Sequence, residues 1–178
     1  MGNTEEVIIS EGCTIPIGDY KKKTIVLGSD HRGFEYKGRI REVLTKEGYE
    51  IIDVGTYSKE RCDYPEISDK IGLEIEKDYL NKVGIGICGS GIGILIPASK
   101  HKRVIPARCL SVKEAETSRK HNNSNVLGIG ADYVDFETAI SVIIKWLETR
   151  FYSIPSEETY LNRYIQTLKL EDKVRGQR

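Results

Sequence analysis

The chain has 178 residues, 39% hydrophobic and 30% charged, which is enough for one well-buried core. Its 27 Lys and Arg residues balance 27 Asp and Glu residues, so no overall charge favours nucleic acid or an acidic membrane as a partner. Because no apolar run reaches the roughly 18 residues of a membrane span and the first residues lack a signal-peptide pattern, we expect a cytoplasmic protein without membrane contact. The four cysteines lack metal-ligand spacing and are interpreted as reduced thiols.

Strands and helices alternate along the chain. Residues 1–20 show no clear periodicity and are interpreted as an extension that lies ahead of the domain, outside its core. The patterns then predict strands at 24–28, 49–54, 83–87, 104–110 and 125–129. They predict helices at 34–47, 65–80, 112–121, 136–151 and 156–170, and a short helix after the glycines that ends at about residue 101. This alternation predicts an α/β fold, a three-layer α/β/α Rossmann-like sandwich with a five-stranded parallel sheet over residues 21–170. Residues 171–178 form a charged tail.

The most informative stretch is residues 83–93, where an apolar strand ends at Cys88 and glycines follow at 89, 91 and 93. In open α/β sheets the carboxyl ends of the strands form the ligand edge, and the next helix points its first N–H groups into the same crevice. Glycines let backbone donors approach a ligand closely. The stretch therefore predicts an anion site beside a thiol whose position favours reactivity.

Two other interpretations compete for this stretch. Residues 84–89 match the dinucleotide pattern G-x-G-x-x-G, but the match lies inside the strand, and no acidic residue ends a second strand about twenty residues later. We therefore reject a nicotinamide cofactor. Cys88 taken alone is also compatible with a small buried core residue, which is what most cysteines are.

Polar residues follow another strand end and a helix end. Asp30 and His31 follow the first strand, so we expect them to share the ligand edge with Cys88. His121 and Asn122 end a helix, and they join the site only if that turn lies near a ligand edge, such as that of a neighbouring subunit. The alternative is that both histidines cap helices or lie at the surface.

Four segments, in order, resemble the motifs of a known family. They are residues 28–34 (GSDHRGF), 63–65 (DYP), 87–93 (ICGSGIG) and 119–127 (RKHNNSNVL). They are similar to those of the ribose-5-phosphate isomerase B family, which includes galactose-6-phosphate and allose-6-phosphate isomerases, and the likeness spans residues 23–168. The resemblance implies an enzyme without metal or cofactor that interconverts aldose and ketose sugar phosphates through an enediolate.

The resemblance also implies roles for individual residues. Cys88 would take the C2 proton, and no substitute base is visible because Ile94 stands where relatives without the cysteine have Glu. Ser90 and His121 would open the sugar ring. The remaining implied roles are oxyanion binding by the N–H groups of Gly89, Gly91 and Gly93, hydroxyl binding by Asp30, Tyr64 and Asn122, and a place near the phosphate for His31.

The chain departs from this family where the phosphate is held. Arginines are usual at three positions that here read Asp132, Thr159 and Arg163, so only the last is retained. A usual Arg is also missing at Ile105, and residues 153–159 (SIPSEET) resemble the galactose-6-phosphate isomerases instead. Since a charge-assisted bond to phosphate contributes about 1.5 to 3 kcal/mol, these changes predict weaker phosphate binding.

Ribose 5-phosphate is thus the first candidate substrate. The alternatives are a hexose 6-phosphate, a tetrose phosphate, an unphosphorylated sugar, or a non-catalytic sugar-phosphate-binding protein. The family is dimeric, so the resemblance implies a homodimer with shared active sites, His121 or Arg163 coming from the neighbouring subunit. Lys100 and Arg103 lie near enough in sequence to help hold an anion, and Arg119 is interpreted as a surface charge.

Overall fold

The structure is a computed structural model that describes residues 7–10, 13–151 and 158–176. Its strands are β1 (Val7–Ser10), β2 (Cys13–Pro16), β3 (Thr24–Ser29), β4 (Ile51–Asp53), β5 (Lys82–Cys88), β6 (Pro106–Arg108) and β7 (Val126–Gly130). Its helices are α1 (Phe34–Lys46), α2 (Tyr64–Lys77), α3 (Leu95–Ala98), α4 (Val112–Asn122), α5 (Phe136–Glu148) and α6 (Glu158–Arg175).

Five strands form one parallel sheet in the order β4-β3-β5-β7-β6, which confirms the predicted three-layer Rossmann-like fold. β1 and β2 form a separate antiparallel pair. β4 lies on one side of β3 and the later strands lie on the other, so the order in which strands are added to the sheet reverses between β3 and β5. In sheets of this kind, ligands bind at the carboxyl ends of the strands on either side of such a point.

Helices cover both faces of the sheet. On one face, α1, α4 and α5 pack through Ile40, Ala115 and Trp146, which are fully buried. On the other face, α2 and α3 pack close to the strands, and a Cβ on Gly86 would lie 2.8 Å from a side-chain carbon of Ile94. This close packing gives a structural reason for glycine at position 86. Gly86 is one of the three glycines that match the dinucleotide pattern.

Residues ahead of the predicted domain also pack on it. Ile15 in β2 is 0% exposed and packs with Phe151 and with Leu168 of α6. Tyr20 is 2% exposed and lies in the main core. The expectation that residues 1–20 lie outside the core is therefore wrong for these two side chains, while a domain boundary at residue 21 stays a prediction.

The last helix extends beyond its predicted end. α6 continues from Glu158 to Arg175 instead of ending near residue 170. Arg103 stabilises this extension, because its side chain donates to Glu171 and Asp172 at 3.0 Å each. Across the described ranges, no helix is long and apolar enough to span a membrane, and no three His, Cys, Asp or Glu side chains cluster as metal ligands.

Candidate active site

The candidate site is built around the turn that follows β5. Cys88 ends this strand and is 3% exposed, and the glycine loop, residues 89–93, turns over the carboxyl end of β7. Gly91 has a φ of +72°, a conformation that favours glycine. A Cβ at this position would lie 2.7 Å from the backbone nitrogen of Gly130. Any larger residue at position 91 would therefore push the loop off the sheet.

The thiol of Cys88 points into this loop. The Gly91 N–H donates a hydrogen bond to the Cys88 sulfur at 3.1 Å, and the Ser90 hydroxyl oxygen lies 4.0 Å from the same sulfur. The Ser90 oxygen in turn accepts a hydrogen bond from the Ile92 N–H at 3.2 Å. The loop therefore holds a potential base next to a hydroxyl.

Further N–H groups of the loop are available to an anion. Among the described residues, the N–H groups of Ser90, Gly93 and Ile94 donate to no other group. α3, which follows, spans only Leu95–Ala98 and is shorter than expected. Because so short a helix has a small dipole, the turn itself would provide most of the stabilisation for an oxyanion.

Asp30 and His31 lie at the same edge, in the turn after β3. One carboxyl oxygen of Asp30 accepts from the backbone N–H groups of Arg32 and Gly33 at 2.9 and 3.1 Å, and the side chain is 5% exposed. The imidazole Nδ1 of His31 lies 2.9 Å from the carbonyl oxygen of Cys62. Asp30 therefore shapes the turn with one oxygen and leaves the other for a ligand.

Tyr64 reaches the glycine loop from α2. It is the first residue of that helix, and a Cβ on Gly93 would lie 3.0 Å from its ring. The residue is 37% exposed, so its ring covers the loop from the solvent side. The predicted residues that one chain brings together at this edge are Asp30, His31, Tyr64, Cys88, Ser90, Gly89, Gly91 and Gly93.

The other predicted residues lie at the opposite end of the sheet, where the parallel strands begin. α4 ends at Asn122, just before β7 begins at Val126, and Val126 is level with Gly84, four residues before Cys88. Four strand residues span about 13 Å. His121, Asn122 and Arg163 therefore do not meet Cys88 within one chain. Only the arrangement through a neighbouring subunit, which the sequence left open, is compatible with a role for them.

A second aromatic and cationic cluster forms at that opposite end. The His121 ring stacks on Tyr160 of α6 with centroids 4.2 Å apart and planes 6° apart. The guanidinium carbon of Arg163 lies 6.0 Å from the Tyr160 ring centroid. Of the segment 153–159, only Thr159 has a described side chain, and it is exposed; residues 153–157 lie outside the described residues.

Three charged residues at the ligand edge received no role from the sequence. The guanidinium of Arg32 donates to one carboxyl oxygen of Asp132 from Nε at 3.0 Å and from a terminal nitrogen at 2.5 Å. This hydrogen bond and the charge of Asp132 raise the pKa of Arg32 above its usual value. Arg108 donates from Nε to the Ser90 carbonyl oxygen at 2.7 Å. Each of the three follows or ends a strand, which was the available signal.

Other cations lie elsewhere. Arg103 binds Glu171 of α6 and is not directed at the glycine loop. Arg119 is fully buried and donates to Thr149 and Gly18 carbonyl oxygens, so its interpretation as a surface charge is wrong. It anchors the end of α4 from inside the core.

An open groove of about 540 Å³ runs along α4. Arg108, which contacts the glycine loop, and Asn122 both line it. The remaining lining residues are Cys109, Ser111, Lys113, Glu114, Thr117 and Ser118. The groove therefore borders both a residue that contacts the glycine loop and Asn122 at the end of α4.

Comparison with known proteins finds a family whose model matches much of the chain. Residues 25–161 match the model of a family described as Ribose/Galactose Isomerase. Ribose-5-phosphate isomerase B of Escherichia coli (strain K12) is 38% identical over 129 residues, which cover 72% of this chain and 86% of that protein.

Two solved structures share the fold over nearly their whole length. Ribose-5-phosphate isomerase B from Clostridium thermocellum has 34% identity and a TM-score of 0.79, covering 85% of this chain and 99% of that one. The enzyme from Mycoplasma genitalium, with bound ribulose-5-phosphate, has 28% identity and a TM-score of 0.79, covering 84% and 96%.

Proposed function

The chain belongs to the ribose/galactose isomerase family and is an aldose–ketose isomerase, and from this premise we propose that it interconverts an aldose and a ketose sugar phosphate. Ribose 5-phosphate and ribulose 5-phosphate are the first candidates. Support comes from the similar Escherichia coli enzyme and from the ribulose-5-phosphate bound in the Mycoplasma genitalium structure.

In the proposed reaction, Cys88 acts as the base. Its thiolate takes the C2 proton of the open-chain aldose, the electron pair forms a C1–C2 double bond, and negative charge develops on O1. The thiol then returns the proton to C1 while the hydroxyl proton of O2 moves to O1, which leaves the ketose. The observation that carries this proposal is the Cys88 sulfur held by the Gly91 N–H inside a loop of available donors.

The glycine loop would stabilise the enediolate. The Gly91 N–H donates to the Cys88 sulfur and the Ile92 N–H to the Ser90 hydroxyl oxygen, so the other donors between Gly89 and Gly93 would face the developing charge. Each such donor contributes roughly 3 kcal/mol in comparable sites. The other proposed roles are those that the resemblance implies: ring opening by Ser90 and His121, hydroxyl binding by Asp30, Tyr64 and Asn122, and phosphate-end contacts by His31 and Arg163.

We propose that the complete site forms between two copies of the chain. Cys88 and His121 lie at opposite ends of the sheet, so one chain cannot bring both to one substrate. The groove along α4 is lined by both Arg108 and Asn122, and it would seat the neighbouring copy. The homodimer, the cytoplasmic location, and the absence of cofactor, membrane and nucleic-acid partners stay predictions from the sequence.

One experiment tests the base and the shared site together. Ketose formation from ribose 5-phosphate is measured for the wild type, Cys88→Ala and His121→Ala, with Cys62→Ala as the control thiol outside the loop. Each of the first two variants should lose at least about 100-fold in activity, since positioned acid–base groups contribute that much or more. Cys62→Ala should retain activity.

The two inactive variants are then unfolded and refolded together. In a homodimer with shared sites, half of the refolded dimers are mixed and each holds one intact site, so about a quarter of wild-type activity should return. Without recovery, the shared site is wrong. An active Cys88→Ala variant would contradict the proposed base, and an inactive wild type would exclude ribose 5-phosphate as the substrate.

A further inference from the structure

An ion pair lies directly against the start of the glycine loop. Arg32 comes from the turn after β3 and Asp132 from the turn after β7, so the pair bridges the two strands that flank β5. A Cβ on Gly89 would lie 2.5 Å from the Arg32 Nε and 2.6 Å from an Asp132 carboxyl oxygen. The pair therefore forms one wall of the site next to Cys88.

Backbone hydrogen bonds fix the positions of both residues, while their side chains are accessible to a ligand. The Arg32 N–H donates to the Asp30 carboxylate at 2.9 Å, and the Asp132 N–H donates to the Gly89 carbonyl oxygen at 3.0 Å. Their side chains are 56% and 43% exposed. Ion pairs this exposed contribute little to stability, so folding alone gives no strong reason for this one.

The pair presents both donors and an acceptor. Arg32 has five N–H donors, and two of them engage a single oxygen of Asp132. The terminal N–H groups that remain can donate, and the second Asp132 oxygen can accept. Sugar hydroxyls both donate and accept, so they match this pair, whereas a phosphate only accepts and is repelled by the carboxylate.

We propose that Arg32 and Asp132 determine which end of the substrate lies over Gly89, by binding sugar hydroxyls and disfavouring the phosphate end there. The inference rests on the proposed function, because it assigns a specificity-determining role within the same site. It also gives a physical reason for Asp132 at a position where the family usually has an arginine. The carboxylate occupies the guanidinium that would otherwise bind phosphate.

The test is the binding of inorganic phosphate, measured by titration calorimetry. Asp132→Asn keeps an acceptor for Arg32 but removes the negative charge, so phosphate should bind about tenfold more tightly than to the wild type, as expected for removing one like charge at close range. In Asp132→Asn combined with Arg32→Gln, this gain should disappear. Glu148→Gln is the matched control, since Glu148 is 48% exposed and pairs with Lys21 at the far end of α5.

Equal phosphate affinity of Asp132→Asn and the wild type, or an equal gain in Glu148→Gln, would overturn the proposal. A gain that persists without Arg32 would also overturn it. Turnover is measured separately on the same proteins. A phosphate gain in a protein that turns over no sugar phosphate would refute the proposed function alone, whereas normal turnover without the gain would refute this inference alone.

Discussion

Gly91→Ala is the substitution whose effect the structure defines most closely. The residue has a φ of +72°, and adopting this conformation costs an alanine roughly 1 to 2 kcal/mol. The new Cβ would meet the nitrogen of Gly130 at 2.7 Å and the carbonyl carbon of Ile129 at 2.8 Å. Both are backbone atoms of a central strand, so neither can rotate away.

The loop must therefore move. Overpacking of this kind costs about 1 to 3 kcal/mol, which brings the expected loss of unfolding free energy to roughly 2 to 5 kcal/mol. Movement of the loop also separates the Gly91 N–H from the Cys88 sulfur, which it now contacts at 3.1 Å. A displacement of about 1 Å at a reacting group can cost 100-fold in rate, so activity should fall by about that factor.

Stability is measured by urea unfolding, with fluorescence of the single, fully buried Trp146 as the signal. Activity is measured as ketose formation. Gly38→Ala is the matched control, because Gly38 lies inside α1 with no atom within 4 Å of its added Cβ, and the change should stabilise the protein by about 0.5 to 1 kcal/mol. Ordinary surface substitutions change the free energy of unfolding by up to about 0.5 kcal/mol. If the free energy of unfolding of Gly91→Ala lies within that range of the wild-type value, the steric reasoning is refuted.

Two further predictions concern the core. Burial raises the pKa of Cys109 from 9.0 to about 11, so the unfolded chain loses this proton first and stability should fall by roughly 2 to 3 kcal/mol between pH 9 and 11. Urea unfolding across that range should show a shallower fall for Cys109→Ala than for the wild type, and Cys62→Ala should not differ from the wild type. Arg119→Leu leaves the buried carbonyl oxygen of Thr149 and the partly buried one of Gly18 without their donor and should cost about 3 to 5 kcal/mol at pH 7; a loss below 1 kcal/mol would contradict the anchoring role.

The fold could be predicted because its signals are local. Residues 83–88 in β5 are all buried, and so are all residues of β7, which is why each reads as an apolar run. The packing of residues ahead of the domain could not be predicted in the same way. Tyr20 is buried against Trp146, 126 positions later, with ring centroids 5.1 Å apart, and no periodicity links residues so far apart.

In the site, too, contacts between residues close in sequence could be predicted, and contacts between distant residues could not. Cys88, Ser90 and Gly91 are close in sequence, so their mutual contacts follow from one turn. The edge at which Asp30 lies follows from its place after a strand. Arg32 and Asp132, however, are 100 positions apart, and only the strand order, which places β3 and β7 on either side of β5, brings them together. Each was at a predictable edge, but their pairing was not predictable.

The glycine loop and the Arg32–Asp132 pair carry different information about the substrate. The glycine loop is the part of the site that the family motifs describe, and its donors suit any enediolate, whatever the rest of the sugar carries. In the proposed site the Arg32–Asp132 wall would contact the part of the substrate that does not react, and Asp132 stands where the resemblance implies an arginine. Because binding energy from non-reacting groups distinguishes substrates that undergo the same chemistry, the identity of the sugar depends on this wall more than on the motif that identifies the enzyme.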